Sequence, residues 1–199
     1  MAALEMLGYA TAHWHYTRNV FRYTAKGIEV RFDKFTNHDA FGDTPIARIY
    51  PELDGRFANS KFILTVRDIA QWDKSFREMF GDGVAGKFSS RLHMDLYGTD
   101  GYDRDKCVSA FRRHNEQVLR YFEGRDQDLL VMNIPSGDGW EKLCQFLNKP
   151  VISVAFPVQY TKKERMEERM LRQRLRRVLR EPQKIPGKVL VKVKQIFER

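Results

Sequence analysis

No apolar run in these 199 residues approaches the length of about 20 that a bilayer-spanning helix needs, so no membrane span is expected. Cysteine is scarce. Cys107 and Cys144 are the only two, too few for a disulfide scaffold and without the paired spacing of a zinc module. Both fall in helical patterns, which predicts reduced, partly buried thiols and a cytoplasmic, reducing setting. The first residues lack a basic segment followed by a long apolar one, so no secretory leader is expected. Repeats and low-complexity stretches are missing before residue 160. Most of the chain also lacks any charge excess. Overall there are 35 Lys+Arg and 26 Asp+Glu; residues 160–199 hold 14 and 5 of these, leaving residues 1–159 with 21 of each. The net charge of +9 therefore belongs to a tail, and the body is neutral.

What is present describes a folded body. Apolar residues make up 42% and aromatics 13%, enough to exclude disorder and to fill one core. We read a body over residues 1–159 and a tail over 160–199. Met1–Leu7 is helix-favouring, with Gly8 as its C-cap. Tyr9–His15 is aromatic and alternating, a strand. Thr17–Lys26 reads as a helix ended by Gly27, and Ile28–Thr44 as an irregular connection. Pro45 opens a helix through Leu53 that Asp54-Gly55 ends. Helices are predicted over Phe88–Tyr97, Lys106–Phe122 and from Trp140 to Leu147. Leu129–Met132 is a short buried strand. Pro150–Pro157 is extended.

One stretch combines these signals with chemistry. Phe62–Val66 is a strand apolar on both faces, and Ile69, Trp72, Phe76 and Met79 then recur at helical spacing. Arg67 and Asp68 stand between, at the carboxyl end of the strand, where open parallel sheets bind ligands. A guanidinium there suits a phosphate, which it can grip with two N–H groups. A solvated turn pair is the plain alternative. Trp72 and Trp140 lie on apolar helical stripes and are packing residues.

An arginine ending a strand, followed eight positions later by Ser75 on the next helix, resembles the site at which sulfotransferases hold a 3′-phosphate. The wording FILTVRDIAQWDKSF is similar to the P-loop-type sulfotransferase family. So are HNEQVLRYF (His114–Phe122), DLLVMNI (Asp128–Ile134) and GDGWEKLCQFLNKPV (Gly137–Val151), and the likeness extends over Ala2–Pro157. It implies an α/β fold: a three-layer parallel sheet flanked by helices, as in P-loop nucleotide-binding proteins. Tyr9–His15, Lys61–Val66 and Asp128–Met132 would be its strands. It implies transfer of a sulfuryl group from 3′-phosphoadenosine 5′-phosphosulfate, a co-substrate, to an acceptor hydroxyl or amine on a small molecule or glycan, with no metal. Arg67 and Ser75 would hold the nucleotide.

For the base, Asp43 matches an aspartate found in this family before the helix that precedes the central strand. His38 is the neighbouring alternative, its imidazole suited to proton transfer near neutrality. As a plain loop residue, Asp43 would instead cap the helix opening at Pro45. The family places a glycine-rich phosphate loop just ahead of the first helix, and Met1 already stands at that helix. Weak or no activity is thus expected of the 199 residues, and the alternative is a shortened, non-catalytic binding module. His13 and His15, at i and i+2, could share a metal, but nothing suggests a third ligand; core or rim positions fit better. His114 reads as part of a solvated helix face.

The tail opens with a charged helix over Tyr160–Arg180, bearing a narrow apolar stripe from Met166 to Leu179. The stripe points to docking on the body or on a second copy; attraction to an anionic partner, a membrane surface or nucleic acid, is the competing reading.

Overall fold

A computed structural model of the chain describes residues 1–13, 18–24, 27–81, 83–84 and 86–157. The expectations for Trp14, His15 and the basic helical tail over 160–199 lie outside the described residues.

The centre is a parallel pair, β5 (Phe62–Thr65) and β6 (Leu129–Met132), in the register Phe62 to Leu129 through Thr65 to Met132. β-branched and long apolar side chains cover both faces. One face carries Ile63, Leu130 and Met132. It packs on α1 (Ala2–Met6) through Ala3 and Leu4, and on α7 (Trp140–Leu147) through Trp140, Leu143 and Cys144. The other carries Leu64 and Val66 and packs on Val118 of α6 (Arg104–Tyr121), with Phe122 just beyond it. Helices on both faces of a two-stranded parallel ladder make this a mixed α/β unit with layered packing.

The expected three-stranded sheet does not form among the described residues. The strand expected over Tyr9–His15 shortens to β1 (Thr11–Ala12) and pairs parallel with β4 (Ala40–Phe41), not with β5. Local polar groups fix that choice. The Asp39 carboxylate accepts from the Ala10 N–H at 2.8 Å, and the Gly42 N–H donates to the Ala12 carbonyl at 3.2 Å.

The helix expected over Thr17–Lys26 is likewise corrected. A 3-10 turn at Arg18–Val20 leads into an antiparallel hairpin of β2 (Phe21–Thr24) and β3 (Gly27–Val30). Val20, Phe21 and Tyr23 suggested a helical stripe, but Phe21 is buried, Arg22 exposed and Tyr23 half-buried, which is strand alternation. Gly27 opens the second strand and caps nothing. This hairpin packs its apolar side into a second core with Ile46, Ile49 and Leu53.

Those three residues lie on what was expected as one helix and is two, α2 (Thr44–Arg48) and α3 (Tyr50–Arg56). Pro51 explains the break at Ile49: it has no N–H to donate back into the preceding turn. α3 also runs past Asp54-Gly55. Asp54 has another task, accepting both Arg125 Nη atoms at 2.7 Å, while Arg125 Nε donates to Asp128 at 2.8 Å. That junction ties the end of α3 to the start of β6. α4 (Ile69–Phe80) and α5 (Lys87–Tyr97) complete the fold as expected.

Candidate functional site

The chain leaves β5 at Val66, whose N–H still donates to the Met132 carbonyl at 2.8 Å. Asp68 then caps α4, its carboxylate accepting from the Gln71 N–H at 3.0 Å. Asp68 thus has a structural employment; Arg67 does not. The Arg67 guanidinium turns towards α4, with Nη1 3.4 Å from Ser75 Oγ, long for a hydrogen bond and better described as alignment. Its Nε is buried and meets no acceptor. Leaving a buried charged donor unpaired costs about 1–3 kcal/mol or more, so the position is suited to an anion that the protein itself does not supply.

The helix carrying Ser75 is held rigidly. Trp72 stacks against Phe76 at 4.7 Å and against Phe111 of α6 at 4.4 Å. On the same helix Asp73 accepts from the Tyr102 hydroxyl at 2.7 Å and from Arg104 Nε at 3.2 Å. Trp72 is a packing residue, as its spacing predicted. So is Trp140, buried, with its indole N–H donating to the Val154 carbonyl at 2.7 Å.

His38 and Asp43 flank β4. His38 Nδ1 donates to the Thr36 carbonyl at 3.1 Å, and the ring meets Phe41 edge-on at 5.9 Å. Asp43 is the N-cap of α2. One carboxylate oxygen accepts from the Thr44 N–H at 2.9 Å and lies 3.3 Å from Thr44 Oγ1. The capping role foreseen as the plain alternative is therefore real. Two features go beyond a cap. Asp43 holds φ at +82°, a conformation costly for a residue with a side chain, and the residue is exposed. Beside it, Gly42 is packed so closely on Met1 that a Cβ there would sit 2.6 Å from the Met1 sulfur. The start of α1 therefore lies against the turn that carries Asp43.

Tyr97 closes α5. Its ring meets Phe76, the neighbour of Ser75, at 4.9 Å. Burial pushes its hydroxyl up to about 12, and the charges of Cys107 and Asp43 push the same way. Sequence spacing does not single out Tyr97, which looks like any aromatic on a helical stripe. Asn133 is also missed. It directly follows the apolar run of β6 as Arg67 follows that of β5, and its side-chain oxygen is buried without a partner. That parallel was available in the sequence.

The other titratable candidates have structural surroundings. His13 Nε2 and the Thr11 hydroxyl both meet one oxygen of Glu5, at 3.3 Å for His13, and these hydrogen bonds hold the Glu5 carboxyl below its ordinary range. Against the solvated face expected of it, His114 is half-buried, edge-on to Tyr50 at 6.1 Å, and burial lowers its pKa. Cys107 and Cys144 are buried free thiols. Among the described residues no cluster of His, Cys, Asp or Glu has the makings of a metal site, and no helix is long and apolar enough to cross a membrane.

A search of curated proteins found no significant match. The family model described as "Sulfotransferase domain" matches residues 1–165, which includes every described residue of the α/β unit and both halves of the candidate site. The chain belongs to the sulfotransferase-domain family.

Proposed function

We propose that the protein transfers a sulfuryl group from 3′-phosphoadenosine 5′-phosphosulfate to a hydroxyl or amine of a small-molecule or glycan acceptor. The observation that carries this is the half-buried Arg67, aligned on Ser75 at the carboxyl end of a parallel pair with its Nε unsatisfied. A 3′-phosphate oxygen supplies the missing acceptor, and Ser75 Oγ adds a donor.

In the reaction the acceptor oxygen or nitrogen attacks sulfur. The bond between sulfur and the 5′-phosphate oxygen breaks, and adenosine 3′,5′-bisphosphate leaves with that bond's electrons. The acceptor's proton passes to a base. Asp43 is the better placed of the two candidates, because it is exposed and its second carboxylate oxygen has no hydrogen bond among the described residues. His38, whose Nδ1 donates to the Thr36 carbonyl, is the alternative.

Calorimetry tests the donor site. Adenosine 3′,5′-bisphosphate should bind at least tenfold more tightly than adenosine 5′-monophosphate, since a charge-assisted hydrogen bond contributes about 1.5–3 kcal/mol. Arg67→Ala should remove most of that preference. Equal affinities in the unmodified protein would exclude a 3′-phosphate site.

A further inference from the structure

Behind Ser75 lies a buried titratable group that the proposed reaction does not use. His93 of α5 is only 6% exposed, and its Nδ1 is buried without a hydrogen-bond partner. Aromatic rings surround the imidazole. Phe80 meets it edge-on at 4.5 Å, Tyr97 lies at 5.1 Å and Phe76 at 6.0 Å. Phe76 and Phe80 both belong to α4, so His93 forms part of the seam between α4 and α5.

That seam leads directly to the candidate anion site. Phe76 is buried, follows Ser75 in the chain and stacks on Trp72 at 4.7 Å. α4 begins two residues after Arg67. The helix that Phe76 and Phe80 anchor therefore sets where Ser75 stands against the guanidinium.

The groups around His93 offer little to a proton. Towards it α4 presents Phe76 and Phe80, which carry no charge. The Tyr97 phenol stays neutral, its hydroxyl pushed up to about 12 by burial. On α6, the Cys107 thiol acts on Tyr97, and burial keeps that thiol protonated. On α5 itself, Arg91 lies over the Tyr23 ring and Asp95 pairs with Arg48. Asp100, an exposed carboxylate beyond α5, is the charge that acts on the imidazole. It favours the proton, but burial opposes it and is the larger effect. Attraction of a cation to ring faces is weaker than the cost of burying that cation unpaired. The imidazolium is thus favoured where the rings part and water enters.

We propose that His93 is a proton-sensitive positioning residue for the nucleotide site. Uncharged, it closes the seam between α4 and α5 and holds Ser75 at Arg67. Protonated, it opens the seam and bound nucleotide is released. This rests on the proposed 3′-phosphate site, and it adds a control of that site by acidity. Binding selects the uncharged imidazole, so by linkage affinity falls as pH drops. Burial lowers His93 from its ordinary value of 6.5, which places the fall below that pH.

Two measurements on the full chain test it. The first is NMR of the ligand-free protein between about pH 7.5 and pH 5, following the histidine rings and the Ser75 and Phe76 amides. Both amides should shift with the midpoint of the His93 ring, and should cease to do so in His93→Phe. A merely structural histidine would not tie Ser75 to its own titration. The second is calorimetry with adenosine 3′,5′-bisphosphate and adenosine 5′-monophosphate at the two ends of that range. On acidification the native protein should lose about threefold more bisphosphate affinity than His93→Phe loses. The variant is the reference because titration of the phosphate and of the other histidines affects both proteins. Amides that ignore the His93 titration, or equal losses in the two proteins, overturn the role of His93 and leave the 3′-phosphate site standing. Equal binding of bisphosphate and monophosphate at the upper pH overturns the site and its control together. The amide titration of the native protein needs no variant, so it decides the question even where His93→Phe fails to fold.

Discussion

Arg67 and Ser75 carry unequal shares of the candidate anion site. Arg67 brings a charge and an unsatisfied buried donor; Ser75 brings one hydroxyl at 3.4 Å. Ser75→Ala is therefore expected to weaken adenosine 3′,5′-bisphosphate binding by only about two- to tenfold, the worth of one neutral hydrogen bond, well short of the loss in Arg67→Ala. Titration calorimetry of the two variants side by side reads this. Asp43 yields a second prediction at the same scale. Its φ of +82° favours glycine, whereas its capping bond to Thr44 favours the aspartate. Asp43→Ala loses the cap and keeps the strain, so it should cost about 1 kcal/mol in urea unfolding. Asp43→Gly relieves the strain and gives up only a few tenths of a kcal/mol of capping, so its stability should match or exceed the native protein's. A strained aspartate that glycine could replace without loss is what a chemical role for its carboxylate predicts. Asp43→Gly less stable than Asp43→Ala would mean that the cap alone explains the residue.

Among the elements, α4 matters most, because it presents Ser75 and follows directly from Arg67. Its position depends on Trp72, held between Phe76 and Phe111. Trp72→Ala should cost about 3 kcal/mol in chemical denaturation, the usual loss for a large aromatic in a packed site. It should also weaken nucleotide binding, because Ser75 lies one turn further on. The ion pair joining α3 to β6 makes a different prediction. Hydrogen bonds from Arg125 first, and from Tyr121, hold the Asp54 carboxyl below its ordinary value near 3.8. A depressed carboxylate contributes stability above its unfolded pKa and loses it as pH falls through the folded one. Asp54→Asn should thus lower Tm at neutral pH, and the gap between variant and native protein should close below about pH 4. A gap independent of pH would assign the loss to packing.

For the molecule as a whole, the pH dependence near neutrality is set by histidines. Burial depresses both His93 and His114, with the charge of Asp100 opposing it at His93. Each is uncharged in the fold and takes up a proton more readily when unfolded, so stability falls as pH drops below about 6.5. Thermal unfolding should show a Tm that declines from pH 7 towards pH 5, with a shallower decline in His93→Phe, whose ring suits neighbours Phe76, Phe80 and Tyr97. The neutral body and the basic residues beyond 160 are separable by salt. Removing residues 160–199 should lower Tm or change the oligomer size if the tail docks on protein. Unchanged stability with loss of salt-sensitive liposome or nucleic-acid binding would make it an anion-binding arm.

The sequence by itself determined the parts whose signal is local and dense. The β5–Arg67–α4 unit, the strand Leu129–Met132 and the helices carrying Trp72, Val118 and Trp140 all follow from apolar periodicity over consecutive residues. The asparagine after β6 could have been noticed by the reasoning that picked out Arg67. Tertiary structure decided what local pattern leaves open. Thr17–Lys26 has too few apolar residues to separate a period of 3.6 from one of 2, and packing of Phe21 against Ile46, Ile49 and Leu53 settled it as a hairpin. Strand pairing is a choice between distant partners, and Asp39 made it for Thr11–Ala12 by capturing the Ala10 N–H. Periodicity records which face of an element is apolar. Which other element covers that face, and which polar atoms are left unpaired where elements meet, is set by contacts far apart in the chain.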